Sequence, residues 1–121
     1  MKSDCLFRMG REEESIAVLD KRLLFNSGDR WATLCKATHL ALMDRHKEAL
    51  LYSHRHIRLA REKKNPTIVY NAYHTKGFVL EMSGEYRKAL KIYQSITSAK
   101  GIKKDMKDIA KSGIERCIKA I

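Results

Sequence analysis

The chain repeats itself, and an internal repeat constrains the fold before any single element is assigned, because each copy has to bury its apolar face on its neighbours. The clearest copy runs Tyr73-x3-Gly77-x2-Leu80-x3-Gly84-Glu85-Tyr86-x2-Ala89-x3-Tyr93. Every position has a reason in a helix-turn-helix unit. Gly77 and Ala89 are small where two antiparallel helices approach, Gly84 gives the backbone freedom that ends the first helix, and Tyr73, Leu80 and Tyr93 fill the space between. Moving back 40 residues places Ala37 under Gly77, Leu40 under Leu80, Asp44 under Gly84 and Ala49 under Ala89. A further step of 34 places Gly10 under Asp44 and Ser15 under Ala49, with Leu6 and Leu19 at apolar positions. The longer step predicts extra helical turns around Leu59 to Asn65. Downstream, Ile109-x3-Gly113 echoes Tyr73-x3-Gly77, so an unpaired helix closes the array.

Periodicity and breakers together predict helices near 2–9, 11–26, 29–43, 45–64, 66–82, 85–98 and 104–120. Asn26-Ser27-Gly28-Asp29 reads as a stop followed by an N-cap, and Asn65-Pro66 puts proline in a first helical turn, where its missing N–H costs nothing. Glu12-Glu13-Glu14 is an acidic run in a first turn, favoured by the helix dipole. A single proline and 6 glycines in 121 residues disfavour a turn-rich β fold, and 44% hydrophobic residues suffice for one core.

The best-matched unit resembles a tetratricopeptide repeat, at Tyr73, Gly77, Leu80, Ala89 and Tyr93; it departs at Lys76, where the family pattern has leucine, and at Gly101, where it often has proline. The long step resembles the variety with units of about 40 residues. The resemblance implies an all-α, right-handed superhelical stack of antiparallel helix pairs, a single domain over 1–121. Its units would be 1–28, 29–65 and 66–103, with a capping helix over 104–121. The first unit lacks the family's leading aromatic. Either Met1 opens a shortened cap, whose uncovered face is then a candidate for self-association, or the chain is a piece of a longer array.

In such arrays the first helix of each unit lines a concave groove that holds a segment of another protein. Here that face falls at Trp31, Leu34, Cys35, Thr38 and Leu42, and again at Asn71, His74, Thr75, Phe78 and Met82. Trp31, His74 and Phe78 are the side chains most able to anchor a partner. A competing register puts Trp31 in the leading aromatic slot, with Leu34 and Cys35 following, and makes it core. Family members that clamp an acidic C-terminal tail carry Lys and Asn at such positions. Asn71 alone qualifies, so that speciality is not carried over.

The expected function is therefore a non-enzymatic protein–protein interaction module or adaptor, without cofactor or metal. The alternative is a nucleic-acid-associated regulator: 25 Lys+Arg against 14 Asp+Glu leave a net charge of +11, concentrated over 45–64 and from Ala99 onward. No aromatic alternates with these basic residues as a base-stacking surface requires. No catalytic signature is present. His54 and His56 diverge by about 200° around a helix, which denies them the spacing of a metal pair. Cys5, Cys35 and Cys117 form no CxxC pair and fit reduced thiols in a cytosol. No apolar stretch approaches membrane-span length, so a soluble cytoplasmic protein without a membrane partner is expected.

If Ala89 sits at a helix crossing, replacing it by Phe should cost roughly 1–3 kcal/mol through overpacking. Chemical denaturation is the measurement, and an unchanged midpoint would mean that the register is misplaced.

Overall fold

The structure, a computed structural model, describes residues 12–121, and among them it holds six helices and no strand. They are α1 (Glu12–Phe25), α2 (Arg30–Leu42), α3 (His46–Arg61), α4 (Pro66–Met82), α5 (Tyr86–Ser98) and α6 (Lys104–Ala120). Each boundary lies within three residues of the range read from the sequence. The expected helix at 2–9, together with Cys5, Leu6 and Gly10, falls outside the described residues.

The helix ends follow from local chemistry. The Asp29 carboxylate accepts the backbone N–H of Ala32 at 3.0 Å, and Asn65 Oδ1 accepts those of Thr67 and Ile68, so α2 and α4 begin with satisfied orphan donors. Between α2 and α3 and between α4 and α5 the chain makes the same turn twice. Asp44 and Gly84 both take positive φ, 62° and 84°. In both turns the next residue folds back: the N–H of Arg45 donates to the Leu40 carbonyl and that of Glu85 to the Leu80 carbonyl, each at 2.9 Å. Glycine and aspartate tolerate this left-handed backbone better than most residues, which is why the sequence can alternate between them. The extra length of the middle unit is helical. Relative to its repeat equivalents, α3 runs on to Arg61 and α4 starts early, at Pro66.

Each helix packs on the next, α2 also packs on α4, and α4 on α6. The first helices thus stand side by side, while α3 and α5 make no comparable contact with each other. Small residues allow this. Ser15, Ala49 and Ala89, equivalent on the second helices, are fully buried, as is Ala37 on α2. A second equivalent set, Leu19, Ser53 and Tyr93, is also fully buried but differs greatly in size. Where the set carries tyrosine, the facing first helix carries glycine, not alanine. A methyl group built at Gly77 would lie 2.8 Å from Tyr93 Cε1, and one at Gly113 on α6 2.6 Å from Tyr93 Cε2. The ring is clasped between two helix backbones that a single added carbon would push apart.

Gly113→Ala should therefore destabilise the protein by about 1–3 kcal/mol, although alanine in a helix interior is ordinarily favoured over glycine by about 1 kcal/mol. Combined with Tyr93→Leu, the alanine should cost less than it does alone, a coupling that a double-mutant cycle of denaturation midpoints reads directly. Additive losses would show that ring and glycine do not oppose one another.

Candidate functional site

The face expected to bind a partner lies on α2 and α4, and its residues have distinct surroundings. Trp31 and Leu34 share one cluster with Leu19, Ala32 and Cys35 at the contact of α1 with α2. The Arg22 guanidinium sits 4.5 Å above the indole while bonding Asp29, so one ion pair covers the ring and steadies the α2 cap. Phe78 is half-buried against Ala37, Leu40 and Val79, where α2 meets α4. His74 is half-buried with its ring 5.5 Å from that of Tyr93, and its Nε2 is buried without a hydrogen bond to any described residue. Thr38 donates to the Leu34 carbonyl of its own helix, and Asn71 is exposed. Trp31 and Leu34 are thus brought together, whereas His74 and Phe78 look toward different neighbours.

Besides Ile109 on α6, the large apolar side chains exposed on the first helices form a row at their C-terminal ends. Leu42 on α2 and Met82 on α4 occupy equivalent positions, and Ile118 on α6 follows 36 residues after Met82, the offset that relates Gly113 to Gly77. These side chains are 42%, 38% and 59% exposed, in helices that pack side by side. Ile118 has no local sequence signal, since α6 reads as a closing helix; the 36-residue offset from Met82 is what marks it.

Beside this row lies a charged network the sequence did not reveal. Glu81 on α4 accepts from Arg116 Nε at 2.7 Å and from the Tyr93 hydroxyl at 2.9 Å. Burial works against ionisation of Glu81, but the bonds from Arg116 and Tyr93 outweigh it and hold the carboxyl below its usual range. Tyr93 is pushed upward by burial and by the Glu81 charge, so the phenol keeps its proton. His74 is pushed downward by burial and by Arg116. The network ties α4, α5 and α6 together.

Among the described residues no group of three or more His, Cys, Asp or Glu could hold a metal ion, and Cys35 and Cys117 are buried. No described helix is long and apolar enough to cross a membrane. No protein-family model, curated protein or solved structure matches the chain.

Burial of His56 favours its neutral form and ties part of the stability to pH. Burial, then the nearby Arg30, push His56 down to about 4, so the unfolded chain, titrating near pH 6.5, takes up this proton first. The stability due to neutral His56 is complete above about pH 6.5 and falls away as pH drops toward about 4, a loss on the order of 3 kcal/mol. Denaturation of His56→Gln at pH 7 and pH 4.5 should show a smaller difference than the parent shows. An equal difference would place the acid sensitivity elsewhere.

Proposed function

We propose that this chain is a protein-interaction module of the tetratricopeptide kind, a right-handed stack of helix pairs whose first helices together hold a segment of a partner protein. The observation that carries the reading is the exposed row Leu42, Met82 and Ile118. Three equivalent positions on three adjacent helices keep large apolar side chains partly open to water among the described residues. A periodic apolar row on a rigid support suits a partner that offers apolar side chains at a matching interval, and a few such anchors supply most of the affinity in interfaces of this type. Trp31 and Leu34 extend the support toward α1 rather than contributing free surface. Phe78 precedes Met82 by about one turn of α4 and packs where α2 meets α4.

The module acts in this reading by holding, without chemistry of its own. The net positive charge speeds encounter with acidic partners and makes the on-rate salt-dependent.

Capture from the native host on immobilised protein, with mass spectrometry, identifies the partner, and the variants then test the surface. Met82→Gln combined with Ile118→Gln should weaken binding of the isolated partner by more than about 1 kcal/mol with an unchanged melting temperature, since both residues are exposed. Phe78→Ala should weaken it by a similar amount while leaving the helical signal intact. Lys63→Gln with Lys64→Gln, on the turn before α4, should lower only the on-rate and only at low salt. The reverse pattern, with the lysine pair decisive and the apolar row irrelevant, would favour nucleic acid bound through phosphate contacts.

A further inference from the structure

The internal repeat allows one position to be compared with another inside the same molecule. Lys36 on α2 and Lys76 on α4 are equivalent, 40 residues apart. Lys36 is nearly buried and its charge is matched: Nζ lies 2.5 Å from Oδ1 of Asp20 on α1 and 2.9 Å from the hydroxyl of Tyr52 on α3. Burial works against this ammonium, and the bonds to Asp20 and Tyr52 outweigh it and raise its pKa. The repeat offsets carry those two partners forward as well. Asp20 moves by 34 residues to His54, and Tyr52 by 40 to Ile92.

Both residues do stand around Lys76. With Leu50 and Leu80 they line a hollow of about 360 Å³ between α3 and α5, open to solvent, into whose rim Lys88 and Lys91 also project. Lys76 therefore holds the place of Lys36 with an imidazole where the carboxylate was and an aliphatic side chain where the phenol was. Burial and the charge of Lys76 push the His54 pKa down, so the imidazole supplies no opposing charge. Among the described residues Lys76 has no carboxylate partner. A second hollow, of about 270 Å³, continues the first. It shares Leu50, Leu80 and Lys88 and adds Lys47, with Glu85 as its one carboxylate, 3.8 Å from Lys88.

We propose that this groove binds an acidic segment of a partner protein. One of its carboxylates takes beside Lys76 the place that Asp20 holds beside Lys36, and a neighbouring apolar side chain lies on Leu50, Leu80 and Ile92. Four lysines against one carboxylate set the sign of the ligand. The open, elongated form suits a passing chain rather than an enclosed small molecule, and the aliphatic floor offers no aromatic surface on which a nucleic-acid base could stack. At 100° per residue Lys76 and Met82, six residues apart on α4, point about 120° away from one another. The groove thus lies on a different face of α4 from the apolar row, shares no residue with it and does not rest on the function proposed for that row.

The test is an NMR titration of the uniformly ¹⁵N-labelled full chain with three probes: an end-blocked peptide of Glu and Leu, the same peptide with Gln for every Glu, and a single-stranded thymidine oligonucleotide. The Glu peptide should shift the amides of Lys76, Leu80 and Ile92 saturably, and the Gln peptide should bind at least about tenfold more weakly. His54→Asp restores the missing carboxylate within the chain and should weaken the Glu peptide by at least about tenfold without lowering the melting temperature. Lys88→Gln combined with Lys91→Gln, both exposed, should weaken it too and serves if His54→Asp misfolds. Equal binding of the two peptides, indifference to these variants, tighter binding of the oligonucleotide, or no saturable shift would each overturn the proposal.

Discussion

The arrangement of α4, α5 and α6 depends on one aromatic ring having no room to spare. Tyr93 is fully buried between the backbones of α4 and α6, against Gly77 on one side and Gly113 on the other. Because the ring is rigid and both helices meet it with bare backbone, the spacing of the two first helices is set by the thickness of an aromatic side chain. The hydroxyl extends the constraint. It donates to Glu81, which also accepts from Arg116, so α4 is tied to α5 through the phenol and to α6 through the guanidinium. A buried carboxylate is costly when unpaired and firmly placed when both oxygens are satisfied. Packing therefore sets the distance between the helices, and the charged network fixes how one lies along the other.

From that constraint follows the difference between the two sides of the array. First helices that meet through glycine, alanine and one clasped ring come close, and α2, α4 and α6 stand in contact. The second helices face outward with longer residues, and between α3 and α5 a cleft remains in which Leu50, Leu80 and Ile92 meet solvent. One face carries the apolar row and another the basic groove, and α4 contributes to both. Its half-buried Lys76 is tolerated because the cleft admits water, whereas Lys36, with less access, needs Asp20 and Tyr52.

Much of this was legible in the sequence wherever backbone geometry restricts residue choice. The turns at Asp44 and Gly84, the caps at Asp29 and Asn65 and the small residues Ala37, Gly77, Ala49 and Ala89 carry the signal because few residue types fit there. The helices α2, α3, α4 and α5 follow from those points, and α6 from the echo of Gly77 at Gly113. Side-chain direction was less legible. His74 falls by helical arithmetic on the same face as Asn71 and Phe78, yet its ring lies near that of Tyr93, whose own placement depends on Gly77 of α4 and Gly113 of α6 together. Trp31 was consistent with two registers because its surroundings depend on Leu19 and Arg22 of α1, in the unit with the weakest sequence signal. The Glu81 and Arg116 pair joins residues 35 apart with no local pattern to mark it.

Divergence between the copies then carries information that an isolated helix pair would not. At the position shared by Leu19, Ser53 and Tyr93 the copies differ in volume and the facing first helix adjusts, glycine against the tyrosine and alanine in the copy with serine, so packing is conserved while its parts change. At the position shared by Lys36 and Lys76 the lysine persists, but its anion does not, and nothing else among the described residues adjusts to replace it. A core position that loses its complement destabilises the fold; a position at an open cleft can lose its complement at little cost, because water solvates the ammonium. That asymmetry separates the two kinds of change. Compensated differences report how the copies stack, and an uncompensated charge at the rim of a cleft is the kind of change on which the proposed acidic partner would act.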